Sequence, residues 1–74
     1  MRFKSGDIVK ISQPGNKPWV YLILTIFNDV TMHCKFAILS SPYYKPGMNR
    51  FVDFSLRDYH NNRDWKVEIV SNLA

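Results

Sequence analysis

Seventy-four residues and 8.7 kDa leave room for one domain and one core, and a chain this short buries only about 60% of its unfolded surface. A single cysteine, Cys34, excludes an intramolecular disulfide and fits a reducing compartment, so packing has to hold the fold; the 15% aromatic content supplies the largest burial per side chain. Net charge is +4 with a pI near 9.5, which favours acidic partners, but no two basic residues are adjacent, which excludes a polybasic nucleic-acid arm.

The chain opens with Met1-Arg2-Phe3-Lys4-Ser5-Gly6-Asp7, where polar residues stand in place of the apolar core of a signal peptide. A cytoplasmic protein is expected, with no membrane partner, because the longest apolar run, Trp19 to Phe27, falls far short of the roughly 20 residues of a spanning helix. The first strand is predicted at about Asp7 to Ile11, with Val9 and Ile11 on one face. Gln13-Pro14-Gly15-Asn16-Lys17-Pro18 reads as a tight turn. Trp19 to Phe27 is the second strand. Val20, Leu22, Leu24 and Ile26 form its core face, while Tyr21, Ile23, Thr25 and Phe27 are nearly as apolar, so the strand has to be central, strongly bent or covered on both sides.

Asn28-Asp29 is the next turn, since both residues tolerate the left-handed conformation. Thr31 to Leu39 is the third strand, with Met32, Cys34, Phe36 and Ile38 inward. Ser40 to Asn49, with Pro42, Pro46 and Gly47, is a loop. Arg50 to Leu56 is the fourth strand, with Val52, Phe54 and Leu56 inward. Ser55-Leu56-Arg57-Asp58 reads as a helix cap followed by one 3₁₀ turn, because Asn61-Asn62-Arg63-Asp64 comes too soon for more. Trp65 to Val70 is the fifth strand, with Trp65, Val67 and Ile69 inward, and Ser71 to Ala74 is a frayed tail. The expected core is Val9, Ile11, Leu22, Leu24, Phe36, Ile38, Val52, Phe54, Val67 and Ile69.

Five short strands with one 3₁₀ turn before the last resemble the SH3-like barrel superfold over about residues 5 to 70. Gly6-Asp7-Ile8-Val9-Lys10-Ile11 followed by Gly15-Asn16-Lys17 looks like the start of a KOW-type module over about residues 5 to 20, although Pro18, Trp19 and Val20 stand where that family places glycine. The resemblance implies an all-β, single five-stranded barrel and a family found in ribosomal proteins and transcription elongation factors.

Catalytic chemistry is thinly supplied, and no enzyme activity is expected. His33 and Cys34 are strand neighbours that point to opposite faces, so they do not form a thiolate–imidazolium pair; Cys34 is expected to act as a small buried hydrophobe. One cysteine and two separated histidines, His33 and His60, match no zinc spacing, and unclustered glycines exclude a phosphate-cradling loop, so neither metal nor cofactor is expected. Asp53 and Asp58 flank the cap without forming a pair on a core face.

Binding chemistry is better supplied. Tyr43, Tyr44 and Met48 lie between prolines in a polar loop, and Trp19 follows Lys17-Pro18; stiff aromatic area of this kind lowers the ordering cost of binding. The expected function is a non-catalytic module docking on a larger protein through Trp19, Tyr43, Tyr44 and Met48, with Arg50 on the rim. The alternative is a KOW- or Tudor-like nucleic-acid-binding module in which Lys10, Lys17, Lys35 and Lys45 contact phosphates. The charge excess favours the alternative by its position: residues 1 to 45 hold Arg2, Lys4, Lys10, Lys17, Lys35 and Lys45 against Asp7 and Asp29. A diffuse charge gives few simultaneous phosphate contacts, which favours the protein.

Overall fold

A computed structural model describes residues 3–43, 45 and 47–72. They form one antiparallel sheet and one short helix, in the order β1 (Asp7–Ser12), β2 (Trp19–Asn28), β3 (His33–Ser40), β4 (Phe51–Ser55), α1 (Leu56–His60) and β5 (Lys66–Asn72). The strands lie β4-β3-β2-β1-β5, and among the described residues β4 and β5 do not pair, so hydrogen bonding leaves the sheet open. No helix of the described residues is long and apolar enough to cross a membrane.

The meander follows from local turn chemistry. In Gln13–Asn16 the Asn16 N–H donates to the Gln13 carbonyl at 3.1 Å, and Gly15 takes φ +81°, the left-handed position after Pro14 that a type II turn requires. Asn28 replaces a glycine at the β2–β3 connection by accepting, on its side-chain oxygen, the N–H groups of Val30 (2.9 Å) and Thr31 (3.2 Å). Met32 then sits at φ 55°, a conformation rare for a side chain of its kind, while its carbonyl accepts the Leu56 N–H at 2.9 Å.

Buried Asp7 ties the start of β1 to the end of β5. Its carboxylate accepts the Lys4 backbone N–H at 2.9 Å and the side-chain amide of Asn72, the residue paired with it on β5. The expected frayed tail is therefore strand as far as Asn72; Leu73 and Ala74 lie outside the described residues.

The core comprises Val9, Ile11, Tyr21, Ile23, Cys34, Phe36, Ile38, Leu56 and Val67, with Val52 and Phe54 packed against it. Two expectations are corrected. On β2 the buried side is Tyr21 and Ile23, not Leu22 and Leu24. Val9 pairs with Tyr21 and Ile11 with Trp19, so both rings share the face of the β1 core residues, and the larger aromatic area goes inside. Leu24 is the extra residue of a bulge between the Ile23–Phe36 and Thr25–Lys35 pairs, and the bulge returns Ile26 to the inner side. Leu22 lies on the outer face in a cross-strand row with Ile8, Ala37 and Phe51. The second correction is Ile69, 37% exposed: β5 is an edge strand, and its pairing slips at Val70 between the Ile8–Ser71 and Val9–Ile69 pairs.

The segment after β4 also differs in kind. It is an α-helix of five residues, not a 3₁₀ turn, and Leu56 is its fully buried first residue, not the last of a strand. Ser55 does not cap it through its side chain; the hydroxyl donates instead to the Thr31 carbonyl at 2.6 Å. With the Leu56 N–H on Met32 and an Arg57 Nη1 bond to the Val30 carbonyl at 3.0 Å, this contact fastens α1 to the β2–β3 hairpin.

The register is testable by deletion. Phe36→Ala is expected to lower unfolding free energy by about 3 to 5 kcal/mol, and Leu22→Ala by about 1 kcal/mol, as read from urea midpoints at constant slope. Equal losses at the two sites would return Leu22 to the core.

Candidate functional site

The inner sheet face ends in an aromatic cleft. Ring contacts leave buried Phe36 in two directions. One runs to Phe54 (4.3 Å, stacked), Tyr59 (5.3 Å) and Trp65 (5.1 Å), and the other to Tyr21 (5.5 Å), Trp19 (5.9 Å, stacked at 7°) and Tyr43 (5.7 Å). A Tyr21–Phe54 contact at 5.3 Å joins the two arms. Between their outer ends lies a depression of about 200 Å³ lined by Ile11, Trp19, Tyr21, Tyr59 and Trp65. A smaller one of about 50 Å³, lined by Gln13, Asn16, Lys17, Trp19, Tyr43 and Trp65, shares both tryptophans with it.

Each wall is placed by a local device. Trp19 and Tyr21 are alternate residues of β2 and project to one face. Tyr59 is held by α1 through the hairpin anchors described above. The turn after α1 is closed by Asn61 N–H to Arg57 O (2.9 Å) and Trp65 N–H to Asn62 O (3.1 Å), and it brings Trp65 back across Tyr59 at 86°. The Gln13–Asn16 turn, with the Asn16 amide donating to Gln13 Oε1 at 3.2 Å, sets the rim that carries Lys17.

The structure brings Trp19 and Tyr43 of the expected contact residues together. Tyr43 is 60% exposed. Met48 and Arg50 line neither depression: the Met48 thioether accepts the Lys45 N–H at 3.2 Å, and the Arg50 carbonyl accepts the Ile38 N–H at 2.7 Å. Tyr44 lies outside the described residues. Tyr21, Tyr59 and Trp65 also line the cleft, and none of them is among the expected contact residues. Tyr21 follows Trp19 at the spacing of one strand face, a signal outweighed by the aliphatic run on the other face.

The lysines do not gather. Lys10 and Lys35 lie on the outer sheet face, where Lys10 pairs across strands with Glu68 and Lys35 with Asp53, and the Lys35 ammonium sits 5.4 Å from the Phe51 ring centre. Lys17 is on the cleft rim and Lys45 in the β3–β4 loop. Among the described residues no three His, Cys, Asp or Glu side chains are placed to share a metal ion. His33 lies 3.9 Å from Asp53 on the outer face, whereas Cys34 is fully buried and its thiol points to the Met32 carbonyl at 3.2 Å. His60 packs edge-on against Phe3, beside a depression of about 540 Å³ that Asp29, Val30, Met32, Arg57 and Asn61 also line.

Comparison with protein-family models, with curated proteins and with solved structures found no match to this chain.

Two groups report on the site. Burial pushes the Tyr21 phenol up to about 12, with repulsion from Tyr59 adding to it. The folded chain then keeps a proton that the unfolded chain gives up near 10, so stability is expected to fall as pH rises from about 10 to about 12, and Tyr21→Phe is expected to remove that part of the fall in urea midpoints. Burial also pushes the Cys34 thiol up. Modification by a soluble disulfide reagent near neutral pH is expected to be slow in the folded protein and rapid in denaturant; equal rates would place the thiol at the surface.

Proposed function

We propose that this chain is a non-catalytic binding module that docks on a larger protein through the aromatic cleft, on a small SH3-like barrel. The strand order β4-β3-β2-β1-β5 and the helix immediately before β5 support the barrel reading. The observation that carries the docking reading is the convergence of Trp19, Tyr21, Tyr59 and Trp65, with Tyr43 exposed beside them, at an open cleft. Aromatic side chains of this kind supply hot-spot area at low entropic cost, and Gln13, Asn16 and Lys17 form a polar rim.

A second reading keeps a nucleic-acid ligand, favoured by Lys17 beside Trp19, since a base stacks on an indole while an ammonium holds the phosphate. It is the weaker of the two. Lys10 and Lys35 lie on the outer sheet face, away from Lys17 on the cleft rim, so the lysines do not present phosphate contacts together, and those contacts supply most non-specific affinity.

Tyr43→Ala is expected to leave thermal stability nearly unchanged while weakening partner binding by about 2 kcal/mol, the scale of an interface hot spot. The measurement is capture of a defined protein by wild type and variant from nuclease-treated lysate, followed by affinities with the purified protein. Capture that disappears on nuclease treatment would favour the nucleic-acid reading, and a large stability loss would return Tyr43 to the fold's own packing.

A further inference from the structure

Resting on the docking reading, we infer that the cleft takes a linear acidic segment of a partner polypeptide: one compact apolar side chain enters between the tryptophans, and a neighbouring carboxylate meets Lys17.

Size argues for a single side chain. The larger depression, about 200 Å³, lies below the range of about 300 to 1,000 Å³ typical of small-molecule and cofactor sites. Its lining of Ile11, Trp19, Tyr21, Tyr59 and Trp65 includes no formally charged group, so a ligand carboxylate placed there would lose water without gaining a partner. The apolar group belongs there.

Charge decides the flank. None of the chain's six acidic residues lines either depression, whereas the smaller one carries Lys17 with the side-chain amides of Gln13 and Asn16. Among the described residues Lys17 makes no ion pair. A cationic ligand would find aromatic faces to attract it but no carboxylate to offset Lys17 and the net charge of +4. A carboxylate one or two residues from the anchor meets the ammonium and amide donors at the rim. Because Lys17 is exposed, this contact governs selection between partners more than total affinity.

The test uses the full chain and tryptophan fluorescence, since both tryptophans line the cleft. The probes are synthetic peptides on one Gly/Ser frame: leucine flanked by aspartates, leucine flanked by lysines, and aspartates without leucine, with a thymidine oligonucleotide for comparison. The aspartate–leucine peptide is expected to bind about tenfold more tightly than the lysine–leucine peptide, and loss of leucine should abolish the response. Lys17→Glu, at an exposed position, should reverse the order of the two leucine peptides. Equal or reversed preference in the wild type would overturn the acidic-segment inference and leave the docking reading standing. A response to the oligonucleotide alone would overturn both, and no response to any probe would overturn the inference.

Discussion

The structure depends on how one ring is boxed in. Phe36 is fully buried at the middle of β3, paired with Ile23 on one side and Val52 on the other, stacked on Phe54 at 4.3 Å and tilted against Tyr21 at 5.5 Å. A short chain without a disulfide has few other sources of cohesion, and aromatic pairs add about 0.5 to 1.5 kcal/mol each beyond the area they bury. Phe36 also fixes the register. Slipping β3 by one residue against β2 would put Lys35 or Ala37 where this ring sits and bring charged or smaller side chains to the centre of the core.

The same contacts that hold the core build the surface. Tyr21 and Phe54 touch Phe36 directly, and Trp19 and Tyr59 touch those in turn, so the cleft walls are the outer ends of the packing. Recognition on such a surface needs little rearrangement, because the rings are braced from behind before any ligand arrives. On the docking reading, the arrangement would also couple stability to binding. A change at Phe54 reaches Tyr59 and Tyr21 together, whereas Tyr43, at the end of an arm, is removable with little effect on what lies beneath it.

Much of this was legible in the residues. Val9 and Ile11, Phe36 and Ile38, and Val67 stand at alternate positions of strands whose other faces carry polar groups, so period-two alternation identified their buried side. The reading failed where both faces were apolar. On β2 hydropathy favours the aliphatic set Val20, Leu22, Leu24 and Ile26 over the set containing Tyr21 and Ile23; cross-strand partners on β1 and a bulge at Leu24 decide the matter the other way, and both are tertiary facts. Trp19 stood out through its position after Lys17-Pro18. Trp65 read as plain core because its phase with Val67 gave no hint that α1 would lay Tyr59 beside it.

The two sheet faces use charge differently, and the difference follows from the ladder. On the outer face, cross-strand register sets Lys10 opposite Glu68 and Lys35 opposite Asp53, but the Glu68 carboxylate pairs with Lys66 at 3.2 Å and Asp53 lies 3.9 Å from His33, so acids from the second half of the chain lie among the cations there without pairing with those two lysines. The rim of the cleft is made by a turn, where no neighbouring strand supplies an opposing acid, and Lys17 stands there beside an aromatic surface with no acidic side chain in its lining. On the docking reading, Lys17 would act where the inner face opens to solvent and would select the sign of whatever approaches the tryptophans.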